Sequence, residues 1–456
     1  MSSNKFADSF LWGVATSAQQ IEGGWDQEGR GESIWDRFAR RPGAIADGLL
    51  PSTTCRHYRR WREDLELMRW LGIGAYRFST SWARIMPAGS GRANPAGLDF
   101  YDKLVDALLE TGIEPFLTLN HWDMPQPLQD RGGWPAREIC EAFTEYTAAV
   151  GRRLGDRVRH WATHNEPWCI ATLGYEEGSH APGKRDPLDA LWAAHHLLLS
   201  HGRATEVIRN LAPKAEVGIV LILSPGRPAS SSKADRDAAR QFDGLFNRWY
   251  LDPLLLGRYP ADAVADRVRW GRLAGAELPF DREDDLRRIR LSLDWLGVNY
   301  YSVTTLAAGP GGRPQAVVSA PSRELTEMGW EIHPAGLTEV LERLTRDYDI
   351  PPLYITENGA AFDDPLPDRG RIADPRRVAY LRDHLVAAHR AIAKGVPLRG
   401  YFAWSLLDNF EWGHGFTKRF GLFGVDFATG ERTPKDSAFW YRDVVAARAV
   451  DYGAEL

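Results

Sequence analysis

Two glutamates in this sequence sit where a carboxylate needs a reason to be. Glu357 closes the run in "LYITENG", in which Leu353, Tyr354, Ile355 and Thr356 read as a short buried strand bounded by Pro351, Pro352 and Gly359. Glu166 follows a similar run, "VRHWATHN", 191 positions earlier. An ionised carboxylate taken out of water without partners is costly, so each needs either a structural partner or a task. Two carboxylates facing each other across a cleft have one available: with one ionised and the other protonated, they are the minimal machinery for cleaving a glycosidic bond.

The elements that must position such a pair are legible as an alternation. Apolar runs recur at Phe10–Thr16, Ile73–Ser79, Glu114–Asn120, Val158–Asn165, Val217–Leu221, Trp295–Tyr301, Leu353–Glu357 and Gly400–Ser405. Helical spacing fills the gaps, as in Trp61, Leu65, Met68 and Leu71 closed by Gly72. Eight strands alternating with helices, with no linker or low-complexity tract, predict an α/β fold, a (β/α)8 TIM barrel forming a single domain over residues 1–456. Joins from helix to strand are tight, whereas the long segments 20–54, 166–187, 302–330 and 358–374 all follow strands. Insertions therefore gather on the face where barrel enzymes build their sites. The strand ends deliver Arg77, His121, Trp122, Asn165, Glu166, Asn299, Tyr301, Glu357 and Trp404 to that mouth, with the fourth and seventh strands placing the two glutamates opposite one another.

Composition removes several classes of function. A net charge of -5 and the lack of a Lys/Arg-rich block argue against a nucleic-acid partner. The N-terminus has no apolar signal region and no long apolar run occurs, which predicts a protein of the cytoplasm with no membrane partner. Three widely spaced cysteines, Cys55, Cys140 and Cys169, fit reduced thiols buried as small hydrophobes. The 12 histidines show no metal-binding spacing, so neither a metal nor another cofactor is expected. His195 and His196 lie in a helical stretch and read as structural, and the charge run 282–290 reads as a solvated face. The unusual number is 18 tryptophans, which suits ligands presenting flat apolar faces between polar edges.

Seven motifs in order, "FLWGVATSAQQIEG", "YRFSTSWARIMP", "TLNHWDMPQPL", "THNEP", "GVNYYS", "ITENG" and "WSLLDNFEWGHGFTKRFGLFGVDF", make the chain resemble glycoside hydrolase family 1, the β-glucosidase and β-galactosidase family. The resemblance implies a retaining β-glycosidase, first of all a β-glucosidase acting on small β-glycosides or cello-oligosaccharides, in a family that is often oligomeric. It implies Glu166 as acid/base, Glu357 as nucleophile, and Arg77 and Tyr301 as the nucleophile's partners. Gln20, His121, Asn165, Glu411 and Trp412 match the family's ligands for sugar hydroxyls, and Trp404 its floor. Trp122 and Asn299 fall on the same mouth, while Trp168 and Trp330 would flank the leaving-group side. The 6-phospho-glycosidase branch typically carries Ser at position 411, with Lys and Tyr further on. This chain has Glu411, Lys418 and Phe420, and an anionic Glu411 would repel a phosphate. His164 departs from the family's usual apolar residue and reads as a supporting side chain behind the site.

Rival readings are a 6-phospho-β-glycosidase, a metal-dependent sugar isomerase and a non-catalytic sugar-binding barrel. The isomerase would need several acidic or histidine ligands converging on a cation. The binding barrel would keep the aromatic floor and have no use for a second carboxylate.

Overall fold

A computed structural model describes residues 4–451 except 53, 276, 283 and 318–322, so part of the predicted 302–330 loop lies outside the described residues. Eight parallel strands close into a barrel: β1 (Leu11–Ala15), β2 (Ala75–Ser79), β3 (Glu114–Asn120), β4 (His160–Asn165), β5 (Glu216–Ile222), β6 (Trp295–Asn299), β7 (Leu353–Asn358) and β8 (Leu398–Trp404). They follow one another in chain order around the ring, and β8 pairs with β1 to complete it. All eight runs expected from the sequence are strands, with ends shifted by one or two residues. The exception of consequence is β6, which stops at Asn299 and leaves Tyr301 on the loop above the mouth.

Each strand is followed by a principal helix: α1 (His57–Leu71), α2 (Pro95–Glu110), α3 (Ile139–Leu154), α4 (Pro187–Leu211), α5 (Trp249–Leu256), α6 (Pro334–Asp347), α7 (Pro375–Ala393) and α8 (Asp436–Ala447). Their positions follow from local chemistry. Trp61, Leu65, Met68 and Leu71 give α1 its buried stripe, and Gly72 ends it in a left-handed turn at φ 69°. At the start of α4 the Asp186 side chain accepts the Leu188 and Asp189 amides, and Pro187 needs no partner for a hydrogen it lacks.

The barrel interior is divided in height. Its lower layer is dry, built from Phe116, Val220, Trp295, Tyr354 and Phe402, with Phe116 and Phe402 ring centroids 4.8 Å apart. Above it the interior turns polar.

The segments after the strands carry more structure than expected. The stretch after β4 is a π-helix, Cys169–Glu177. The stretch after β5, not singled out from the sequence, supplies strand Gly226–Pro228 to a three-stranded sheet completed by Thr304–Ala308 and Pro314–Ala316 from the loop after β6. These short elements satisfy the backbone of long loops that cover the mouth. No helix among the described residues is long and apolar enough to cross a membrane.

Candidate active site

The two strands that carry the glutamates are irregular where it matters. The register of β7 slips beyond Ile355 against both neighbours, and that of β4 slips between Ala162 and Asn165 against β5. Such slips re-aim side chains at a strand end. Gly359 is required just past β7, because a Cβ there would lie 1.7 Å from the Trp404 carbonyl oxygen. Glu166 itself has φ 48°, and the mouth residues Trp122 and Trp412 also take positive φ, at 76° and 48°. Non-glycine residues in that region carry strain that only the surrounding structure sustains.

Glu166 and Glu357 both line one cleft of about 680 Å³, together with His121, Trp122, Asn165, Trp168, Tyr301, Trp330, Trp404, Glu411, Trp412 and Phe420. Glu357 accepts from Arg77 Nη1 at 2.6 Å on Oε1 and from the Tyr301 hydroxyl at 2.6 Å on Oε2. Glu166 accepts from Asn299 Nδ2 at 2.5 Å on Oε1 and from the Cys169 thiol at 3.0 Å on Oε2.

A chain of donor-only groups fixes the polarity of this network. Arg77 Nη2 can only donate, so the Asn165 atom it meets at 2.7 Å is the amide oxygen. Asn299 meets that same oxygen at 3.1 Å and must present its NH2, which continues to Glu166. The Asn165 NH2 is thereby turned to His121 Nε2 at 3.1 Å. That nitrogen accepts, and burial holds His121 neutral, well below its usual pKa, so its remaining hydrogen sits on Nδ1.

The two carboxyls are electrostatically unlike. Burial and then the charge of Glu357 push Glu166 up to about 8. Burial also raises Glu357, but there the guanidinium of Arg77 and the Tyr301 hydroxyl oppose it. Of the two, Glu357, beside the cation, is the one favoured to carry negative charge, and Glu166 the one favoured to keep a proton. Glu411 behaves otherwise than expected: burial, with the nearby charges of Glu357 and Glu166, pushes it up to about 8, which favours its protonated form over the anionic one. A phosphate is still ill served. Three carboxyl groups surround the inner cleft, Lys418 gives its Nζ to the Glu327 carbonyl at 2.6 Å, and Phe420 offers only hydrocarbon.

Residues 2–450 match the family described as Glycosyl hydrolase family 1. The chain belongs to that family. It is an O-glycosyl hydrolase, 48% identical over 448 residues to "Beta-glucosidase A" of Acetivibrio thermocellus, covering 98% of this chain and 99% of that protein. A relative from Bifidobacterium breve named "Bifunctional beta-D-glucosidase/beta-D-fucosidase" is 41% identical, with 97% and 98% covered. The solved β-glucosidase of Thermotoga maritima in complex with glucoimidazole superposes with a TM-score of 0.93 at 44% identity, covering 98% of this chain and 100% of that one.

Within this family 1 barrel, not every residue singled out from the sequence reaches the cleft wall. Arg77, Gln20 and Asn299 stand one layer behind it. Gln20 is fully buried and bonds Asn409, the Phe410 carbonyl and Glu411 Oε2, the last at 3.4 Å. Trp122 commits its indole hydrogen to the Asn165 carbonyl at 2.9 Å and so offers the cleft a face. His164 points away from Glu166, accepting from Asn120 Nδ2 at 3.0 Å and reaching Ser200 Oγ at 2.9 Å while stacking on Phe143. His195 and His196 bond Tyr259, Asp285 and the Trp134 carbonyl, as structural histidines do.

Sequence reasoning missed Cys169, treated as a small hydrophobe although it touches Glu166, and Phe246, which lines the outer cleft from the unread segment after β5. The spacing of Cys169, three residues after Glu166, was the available signal.

Proposed function

We propose that the protein is a retaining β-glucosidase that releases terminal, unphosphorylated β-D-glucosyl residues from small β-glycosides, short cello-oligosaccharides included. The observation that carries this is the differentiated pair: an ion-paired Glu357 beside a Glu166 that burial keeps protonated. Glu357 attacks the anomeric carbon while Glu166 gives its proton to the glycosidic oxygen. The glycosyl ester that forms removes the charge of Glu357, and the pKa of Glu166 falls. Glu166 then takes a proton from the incoming water, and the second displacement restores the starting configuration.

The sugar is bound by His121 Nδ1, Asn165, Glu411 and Trp412, over the Trp404 floor. Gln20 holds Glu411, and Asn299 holds Glu166. The names of the relatives support glucose as the first glycone and make β-fucoside the second to test. The whole chain acts as one catalytic domain. A cytoplasmic setting is supported by three buried, unpaired cysteines.

The experiment is hydrolysis of p-nitrophenyl β-glucoside, β-galactoside, β-fucoside, α-glucoside and 6-phospho-β-glucoside, with the first-formed anomer followed by NMR. β-Glucose from the β-glucoside is the expected result. An inverted product, or faster turnover of the phosphorylated substrate, would overturn the reading.

A further inference from the structure

We propose that Cys169 is a positioning residue for the acid/base, its thiol holding Oε2 of Glu166 so that the side chain can alternate between acid and carboxylate without moving. The proposal rests on the assignment of Glu166 made above.

The left-handed turn at Glu166 reverses the chain immediately after β4. The Cys169 amide then donates to the Glu166 carbonyl at 2.9 Å, which opens the π-helix and brings the thiol back to 3.0 Å from Oε2. π-Helical segments are rare and, where present, are often at functional sites, and this one spans Cys169–Glu177.

The two oxygens of Glu166 are not equivalent. Oε1 faces the NH2 of Asn299, whose orientation is forced by Asn165 and, through it, by Arg77. A proton on that side would meet another hydrogen, so the acid form carries its proton on Oε2. There it meets a thiol, which donates weakly to a carboxylate and tolerates a neighbouring hydroxyl because its sulfur also accepts. An alkyl side chain would leave the carboxylate form one partner short, and a stronger donor would favour it too much.

The other groups facing this pocket are accounted for. Glu357 raises the cost of charge on Glu166, Arg77 lowers it, Glu411 is itself pushed toward its protonated form by burial and the carboxyls of Glu357 and Glu166, and the hydroxyl of Tyr301 is committed to Glu357. Burial and the neighbouring Glu166 hold the thiol protonated, well above its usual range, with Glu177 adding to this, so Cys169 acts as a donor and not as a nucleophile.

The test is the pH profile of kcat/KM for phenyl β-glucoside in the wild type, Cys169→Ala and Cys169→Ser, with thermal unfolding as a control for fold. The profile falls on its basic side as free Glu166 loses its proton. Removing a donor to the charged form raises that pKa, and a hydroxyl donor lowers it. The expected basic limbs therefore run Ser, Cys, Ala from low to high pH, with steps of roughly half a unit for one weak donor. The acid limb, set by Glu357, stays in place. Coincident basic limbs in folded variants, or movement of the acid limb instead, would overturn the proposal. If the alanine variant does not fold, the serine variant against wild type decides by the same criterion. Failure of the underlying reading looks different, because Glu166→Gln would then keep full activity on phenyl β-glucoside.

Discussion

The inner and outer ends of the cleft are built on opposite plans. At the inner end most polar side chains come from a strand end or the first residues beyond it, Glu411 on the longer segment after β8 excepted, and they are held by one another: Arg77 by Glu357 and Asn165, Asn299 by Asn165 and Thr356, Tyr301 by Glu357. The outer end is mainly apolar and borne on insertions. Trp168 and Phe246 pack with ring centroids 4.4 Å apart, Phe242 stacks behind Phe246 at 4.9 Å, and Leu173, Val317, Leu325 and Met328 add aliphatic surface to a lining that also carries the hydroxyls of Ser302, Thr304 and Thr305. Hydrogen-bonded networks in a dry interior are intolerant of loss, because each deletion strands a buried partner. Apolar walls lose only contact area. Substitutions at the inner end should therefore act on kcat and at the outer end on KM, and one residue that crosses over would break the comparison.

The largest effect belongs to Glu357→Gly. It removes the proposed nucleophile and leaves Arg77 buried without its carboxylate, so hydrolysis of every β-glucoside should fall by roughly 10⁴-fold or more. A small external anion such as azide can occupy the vacated space, attack the anomeric carbon from that side and restore cleavage of an activated aryl β-glucoside, releasing the phenol and leaving the α-glucosyl azide. Wild-type turnover in this variant, measured by initial rates with active-site titration, would remove the inner network from catalysis altogether.

Next comes Glu166→Gln, which sharpens the comparison because on the proposed reading the leaving group points to the outer end. General acid catalysis contributes about 10²–10⁴-fold. Phenyl β-glucoside, a poor leaving group, should lose that full amount in the cleavage step, while 2,4-dinitrophenyl β-glucoside, which departs without a proton, should lose little in its burst phase. Equal losses for both substrates would show that Glu166 holds the sugar and not the proton.

The same division decided what the sequence could reveal. The barrel was legible because β-branched and aromatic runs alternate with 3.6-residue periodicity, and the inner site because its residues sit at strand ends, where a carboxylate in "LYITENG" or "THNEP" is conspicuous. What was illegible depends on loop conformation. Phe246 gives no sign of facing the cleft until the segment after β5 is folded, and the thiol of Cys169 reaches Glu166 only through a positive-φ turn and a π-helix that no periodicity announces. The charge of Glu411 was misread for a related reason. A carboxylate is taken as anionic unless its surroundings are known, and here burial and two neighbouring carboxyls favour its protonated form.

The smallest effect, and the one that tests the outer wall directly, is Phe246→Ala. Phe246 lines the cleft beside Trp168, and its ring has no group that could join the hydrogen-bonded inner network. Removing its ring takes away one aromatic contact with a bound aryl group, worth about 0.5–1.5 kcal/mol, which corresponds to roughly a 2- to 10-fold rise in KM for p-nitrophenyl β-glucoside. Because the ring is absent from the inner network, kcat for the same substrate should hold when hydrolysis of the glycosyl-enzyme limits turnover. β-Glucosyl fluoride supplies the control: its leaving group is a single atom that does not extend to the outer wall, so both its kinetic constants should match the wild type. A fall in kcat for the fluoride would mean that Phe246 supports Glu166 through Trp168 and the turn after β4, and the separation between the two ends of the cleft would have to be given up.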